Sequence, residues 1–404
     1  MQIIVFNAGS SSLKFDLLEA APDGTIVRLA AGAFVDAADG SGRFLMRTSG
    51  VAPPVSERAG TLAHAATLAL EWLSNPSIHG RDLLQGTSAA VHRIVHGGAQ
   101  FRATQGLDES DLAALAELSP LAPLHNPPAL AVIASVRRRL GPGVRVVGVF
   151  DTAYYAQLPE AAYQYAIPPR WRVEFGIRRY GFHGIAHRYL CVAARRRLPA
   201  TRPTERIVSL QLGRGCSVTA TQGARAVATS MGFTPLEGLV MGTRSGDVDP
   251  GVLLYVMERG GFSPAEMRRE LNEHSGLLGL SGQSADMREL LTLERSGNVA
   301  AALALEVFCR RARHFVAAYI AELGGVDVIA FGGGIGENCP DIRRRIVAQM
   351  EWAGVALDAG ANADCVGAES SIAAALSRTA IEVIPVDEAA VIASEAVALL
   401  SGTG

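Results

Sequence analysis

Five short segments of the chain join arginine, histidine or aspartate to glycine and proline: His92-Arg93-Ile94-Val95-His96-Gly97-Gly98, Leu124-His125-Asn126-Pro127-Pro128, Phe150-Asp151-Thr152, Gly181-Phe182-His183-Gly184 and Met241-Gly242-Thr243-Arg244-Ser245-Gly246-Asp247. Glycine and proline make rigid turns, and charged side chains held on rigid turns are how folds build sites. A capped turn or an internal ion pair accounts for any one of them. Five together, bringing guanidinium, imidazole and carboxylate groups, suit a reaction in which anions are gripped and neutralised.

Two glycine-rich turns add to this chemistry. Asn7-Ala8-Gly9-Ser10-Ser11-Ser12-Leu13-Lys14 offers backbone N–H groups, hydroxyls and one ammonium to an anion. Lysines and arginines total 37, and Lys14 is the only lysine. Either a compact point charge is needed at this position, which guanidinium imitates poorly, or the composition is simply biased toward arginine. The turn lacks GxxxxGK[ST], so it is not a P-loop, and a solvated Ser/Gly hairpin is the bland alternative. Gly332-Gly333-Gly334-Ile335-Gly336-Glu337-Asn338 follows an apolar stretch over 326–331 and precedes a helix that Pro340 and Asp341 can open. A nucleotide can sit on strand, glycine loop and helix in that order. The loop comes too late in the chain to open a first βαβ unit, which argues against a dinucleotide fold.

The elements that must position these residues read as α/β. Residues 2–6 form a buried strand, and Leu13, Phe15 and Leu17 alternate with polar neighbours, so 7–12 is the turn of a β-hairpin. The pattern returns at 207–212, turns at 213–216 and alternates again over 217–221, so the chain looks internally duplicated. An apolar strand is expected at 144–150 and a helix at 111–118. A long amphipathic helix at about 299–323 places Leu305, Phe308, Ala312, Phe315 and Tyr319 on one stripe and leaves His314 structural or solvated. The arginine triplets at 137–139, 195–197 and 343–345 read as solvated helix faces. With 404 residues the chain exceeds one core, which favours two domains and a cleft.

Composition narrows the partners. A net charge of -2 gives no general attraction to nucleic acid or anionic lipid. The five cysteines have no CxxC pair and no histidine cluster at zinc spacing, which fits a reduced, cytoplasmic setting. Neither a signal segment nor a membrane span is expected.

Taken in order, these segments resemble the acetate kinase family, within the superfamily that also holds sugar kinases, heat-shock chaperone ATPases and actin. The resemblance runs essentially end to end. Its most specific pieces are Asn7 to Lys14 as quoted, Pro123-Leu124-His125-Asn126-Pro127-Pro128, Arg179-Tyr180-Gly181-Phe182-His183-Gly184, Met231-Gly232-Phe233-Thr234-Pro235-Leu236-Glu237-Gly238 and Gly334-Ile335-Gly336-Glu337-Asn338.

The resemblance implies a two-domain, duplicated actin-like (ribonuclease H-like) α/β fold with an interdomain cleft. One domain would be 1–150 with 384–404, the other 151–383. It further implies in-line transfer between the ATP γ-phosphate and a short carboxylate, in a homodimer. Arg93 and Arg244 would hold the carboxylate and the transferring phosphoryl; His183 would donate to phosphoryl oxygens with help from His125. Asp151 would act through magnesium or by orienting the arginines. Asn7 and Glu388 match the positions linked to Mg2+ (or Mn2+). Val95, Leu124, Phe182 and Pro235 match a small apolar pocket for the substrate methyl. Lys14, Ser10 and Ser12 belong to the phosphate turn. Nucleotide contacts map to Gln211, Leu212, Gly213, Arg214 and Gly215, to Asp286, Met287 and Arg288, and to Gly334, Ile335, Gly336, Glu337 and Asn338.

One departure matters. Where the family usually has His-Leu-Gly-Asn-Gly, this chain has Gln211-Leu212-Gly213-Arg214-Gly215. Arg214 either adds a cation near the β-phosphate or swings to solvent. ATP is the expected donor, and a propionate, butyrate or pyrophosphate-using kinase is the rival reading. A nucleotide-gated scaffold would share both hairpins, but would not need Arg93, His125, His183 and Arg244 together.

Overall fold

The computed structural model describes residues 1–9, 12–21, 25–35, 42–48, 55–198 and 205–402. Ser10 of the phosphate turn lies outside them. By compactness the chain divides into two units, Met1–Ala156 with Asp387–Gly404, and Gln157–Val386. Asp151 and its turn pack with the first unit rather than opening the second, and residues 384–386 go with the second.

The first unit holds eight strands: β1 (Gln2–Ala8), β2 (Ser12–Ala20), β3 (Ile26–Val35), β4 (Arg43–Thr48), β5 (Val55–Arg58), β6 (Thr87–Ile94), β7 (Gln105–Gly106) and β8 (Arg145–Phe150), in the order β5-β4-β3-β2-β1-β6-β8-β7. Ile3, Ile4, Val5 and Phe6 are all buried, as a central strand covered on both faces requires. Against Ile4, Phe6 and Phe15 pack the helices Leu62–Leu73 and Asn126–Leu140, through Ala65, Ala69, Val132 and Val136. The helix Glu388–Leu400 packs on β1, β6 and β8. β1, β6 and β8 run parallel, with Asn7 beside Arg93 and Ile94 beside Phe150. Three strands therefore end together, at the edge where open α/β sheets bind ligands.

The second unit repeats the plan with β9 (Arg206–Leu212), β10 (Cys216–Gln222), β11 (Arg225–Thr229), β12 (Val328–Gly332), β13 (Ser370–Ser371) and β14 (Ala380–Val383), ordered β11-β10-β9-β12-β14-β13. In both sheets an antiparallel hairpin is followed by two parallel neighbours, β2-β1-β6-β8 and β10-β9-β12-β14. The duplication inferred from alternation is thus real at the level of topology. The helix Val299–Glu322 buries Leu305, Phe308, Ala312, Val316 and Tyr319, so Val316 takes a place on the stripe while Phe315 is half-buried.

The first hairpin is tighter than expected. Asn7 and Ser12 belong to the strands, with Asn7 directly opposite Lys14. A second expectation fails more instructively: Arg343, in the helix Pro340–Val347, is fully buried and not solvated.

Candidate active site

In the first unit the parallel strand ends converge on Arg93. Its Nε and Nη2 donate to the two carboxylate oxygens of Asp151 at 3.2 and 2.7 Å, and Nη1 donates to Asn7 Oδ1 at 2.8 Å. Glu388 Oε2 stands 3.5 Å from Nη1 and accepts from Asn7 Nδ2 at 2.6 Å. The Asp151 side chain is 1% exposed and that of Arg93 13%, so the pair is desolvated. Burial works against the Arg93 charge, yet Asp151 and Glu388 outweigh it and raise the guanidinium above its ordinary value. Of five N–H groups, three are used in hydrogen bonds among the described residues. Asp151 fixes the fork, and the remaining edge can receive an anion.

Neighbouring loops are pinned to the same strand ends. Asn126 brackets His96, accepting from its N–H at 3.2 Å and donating to its carbonyl at 2.9 Å, and Thr152 Oγ1 accepts from Gly97 N–H at 3.0 Å. A Cβ on Gly97 would lie 2.5 Å from the Phe101 carbonyl, so only glycine allows that close approach. His125 is half-buried just ahead of the helix Asn126–Leu140. Val95 is buried, whereas Leu124 is 41% exposed. Lys14 is exposed on β2, and Ser12 Oγ sits 2.9 Å from where a Cβ on Gly9 would be.

The chemistry of the donor set fits magnesium. The Asn7 amide oxygen and the Glu388 carboxylate are hard oxygen donors on neighbouring side chains, the first accepting here from Arg93 and the second from Asn7 Nδ2, and no cluster of three or more His, Cys, Asp or Glu side chains that could hold a metal ion is found among the described residues. Few protein ligands with retained waters is what that ion favours.

In the second unit His183 and Arg244 meet beside Gly215. A Cβ on that glycine would lie 3.2 Å from Arg244 Nη2 and 3.2 Å from the His183 ring, so the turn after β9 backs directly onto both side chains. His183 adopts φ 57°, a left-handed conformation rare for a side-chain-bearing residue and stored where a site over-determines it. Its Nδ1 is 2.9 Å from Ser217 Oγ, which also meets the buried His187 at 2.7 Å. Burial pushes His187 down to about 3, so it stays neutral.

Arg244 donates from Nη1 to the Pro235 carbonyl at 2.6 Å, and no carboxylate pairs with it among the described residues. Burial lowers its pKa, with Cys216 opposing and the positive Arg214 adding to the fall. A guanidinium with no counter-ion is an invitation to an external anion. Phe182 is buried and Pro235 half-buried. Arg214 itself is exposed on the turn, close enough for its charge to act on Arg244.

The nucleotide candidates gather at the ends of β9 and β12. Gly333 has φ 76°, and a Cβ there would lie 2.6 Å from the Leu212 carbonyl and 2.9 Å from Gln211 Nε2. Glu337 Oε1 accepts from Gly333 N–H at 2.8 Å and from Val386 N–H at 3.1 Å, closing the loop. Gly334 and Asn338 are exposed, Ile335 half-buried and Gly336 buried. Asp286 caps the helix Met287–Arg295 and pairs with Arg288, which is 85% exposed, while Met287 is buried. The Cys339 thiol, pushed up by burial, feels the charges of Arg343, Asp286 and Arg288, so segment 286–288 lies near the glycine loop.

Sequence reasoning missed the residues that hold others in place. Thr152 and Ser217 bond to Gly97 and His183, 55 and 34 residues away, and no local spacing announces that.

Arg93, paired at the end of a parallel strand, and Arg244, beside a glycine turn with no carboxylate partner among the described residues, sit on a duplicated α/β fold and suit a phosphotransferase. A family model described as the acetokinase family matches residues 2–394. The chain belongs to that family. It is 41% identical over 410 residues to an acetate kinase of Solibacter usitatus, covering 100% of this chain and 99% of that one. Among solved structures it resembles an acetate kinase of Porphyromonas gingivalis, with a TM-score of 0.87 at 37% identity and 99% of each chain covered. A propionate kinase from Francisella tularensis gives a TM-score of 0.88 at 34% identity, with 98% of each covered.

Proposed function

We propose that this protein is an acetate kinase that reversibly transfers the γ-phosphoryl group of ATP to acetate. A carboxylate oxygen attacks phosphorus, the bond from phosphorus to the oxygen bridging to the β-phosphate breaks, and ADP leaves with that electron pair. The main barrier is the approach of two anions, so fixed positive charge does most of the work. The observation that carries this reading is Arg244, a half-buried guanidinium without a carboxylate partner among the described residues, set beside His183. Arg93, oriented by Asp151, would hold acetate; Arg244 and His183 would donate to the phosphoryl oxygens, with His125 assisting. Magnesium held by Asn7 and Glu388 would neutralise nucleotide phosphate charge. Val95, Leu124, Phe182 and Pro235 would surround the methyl group. The nucleotide would lie on Gln211–Gly215, Asp286–Arg288 and Gly334–Asn338, with Lys14 and Ser12 serving the phosphates.

A hydroxamate assay with acetate, propionate and butyrate, each with ATP or pyrophosphate, is the test. Acetate with ATP is expected to give the highest kcat/KM. Faster turnover of propionate or butyrate, a reading favoured by the likeness to a propionate kinase, would overturn the acetate assignment, and activity with pyrophosphate alone would overturn the donor.

We further place the protein in the cytoplasm as a homodimer. No helix among the described residues is long and apolar enough to cross a membrane. The helix Pro250–Gly260 carries Val252, Leu253, Leu254, Tyr255, Val256 and Met257, yet buries none of its residues within the chain. Such a surface is costly in water and fits a second copy. Leu254→Glu with Tyr255→Lys is expected to shift the mass measured by light scattering from dimer to monomer. An unchanged mass would exclude this helix from the interface.

A further inference from the structure

The segment that carries Pro235 is clamped at both sides by a cluster outside the groups assigned above. Arg179 Nη1 donates to three successive carbonyls, those of Thr229 and Ser230 at 3.3 Å and that of Met231 at 3.1 Å. Arg179 Nη2 and the Tyr165 hydroxyl each donate to the Glu237 carboxylate, one oxygen apiece. Tyr165 also accepts from Phe233 N–H at 2.9 Å. A Cβ on Gly232 would lie 1.7 Å from the Glu237 carboxylate and 2.1 Å from the Tyr165 oxygen, so the segment closes on itself around this carboxylate. On the far side, Asp247 accepts from Gly238 N–H at 2.8 Å. Pro235 stands between these anchors, and its carbonyl is the hydrogen-bond partner of Arg244.

We propose that Glu237, with Arg179 and Tyr165, is a positioning residue that places the Pro235 carbonyl and through it the Arg244 guanidinium. This rests on the reading that Arg244 serves the phosphoryl group. A neutral carbonyl anchors a guanidinium more weakly than a carboxylate does, and this one lies within a segment held by Glu237 on one side and Asp247 on the other. A displacement of about 1 Å at a catalytic group can cost 10²-fold in rate. Glu237→Gln keeps the shape and removes the charge that Arg179 grips. Tyr165→Phe keeps the ring and removes both hydroxyl bonds.

The test is a double-mutant cycle on kcat with saturating ATP and acetate, alongside the KM for ATP. Glu237→Gln and Tyr165→Phe are each expected to lower kcat by roughly 10- to 100-fold with the KM for ATP within about twofold of the parent. In the Arg244→Ala background either change is expected to lower kcat less than threefold further. Full additivity in that background would overturn the proposal, as would a kcat within twofold of the parent for both single variants. If Arg244→Ala alone keeps near-parental kcat, the underlying reading of Arg244 falls instead, which separates the two failures. Should Glu237→Gln not fold, Tyr165→Phe carries the same cycle.

Discussion

Replacing Arg93 with alanine is expected to lower kcat/KM for acetyl phosphate formation by roughly 10²- to 10³-fold, the range found when one preorganised charge donor is removed from a water-poor site. The site leaves little room for compensation. Arg93 is the group on which Asp151, Asn7 and Glu388 converge, and no other cation among the described residues bonds to all three. Removal has a second effect, because the buried Asp151 carboxylate would lose both hydrogen bonds from the Arg93 fork. Breaking such a pair destabilises by about 3–5 kcal/mol. Activity loss through unfolding must therefore be separated from activity loss through chemistry. Arg93→Lys does this: it keeps a positive charge near Asp151 but cannot span both carboxylate oxygens and Asn7 at once. Its thermal midpoint should lie between those of the parent and Arg93→Ala, while its KM for acetate should rise more than its KM for ATP. Near-normal acyl phosphate formation by folded Arg93→Ala would remove the role assigned here.

The difference between what the sequence discloses and what it hides follows the range of the contacts. Both hairpins are legible because the strands that pair are adjacent in the chain, and alternation at 13, 15 and 17 or over 217–221 reports a local geometry. The glycine loop after β12 is legible for the same reason. The convergence of Asn7, Arg93, Asp151 and Glu388 is not local: Asn7 and Glu388 lie 381 residues apart and meet only because the last helix returns to the first sheet. For these residues, resemblance to a family supplied what spacing could not. The clamp around Glu237 was hidden in the same way, since Arg179 and Tyr165 lie 58 and 72 residues from it. Arg343 is a different case, because the information was present. Successive helical residues are about 100° apart, so three consecutive arginines cannot share one solvated face. Ile346 and Val347, three and four positions on, are buried and place Arg343 on their stripe.

That buried arginine supports the second large expectation. Its guanidinium donates to the Gly336 carbonyl at 2.8 Å and the Glu337 carbonyl at 3.2 Å on one side, and to Asn362 and the Cys365 carbonyl on the other. It therefore ties the back of the glycine loop to segment 362–365, with no carboxylate to balance it among the described residues. Burial lowers its pKa, partly opposed by Cys365 and Cys339. Arg343→Leu would leave several buried acceptors without donors, each at a cost of about 1–3 kcal/mol, so a total loss on the order of 3–5 kcal/mol is expected in chemical denaturation. In protein that remains folded, the loosened loop should raise the KM for ATP by roughly tenfold, equivalent to about 1.4 kcal/mol of lost ordering, while the KM for acetate stays within about twofold. Arg343→Lys should recover part of the stability but less of the nucleotide affinity, since an ammonium cannot reach carbonyls on both sides together. Were Arg343→Leu to keep the parental denaturation midpoint and the parental KM for ATP, the loop would have to owe its shape to Glu337 and its two backbone N–H partners alone.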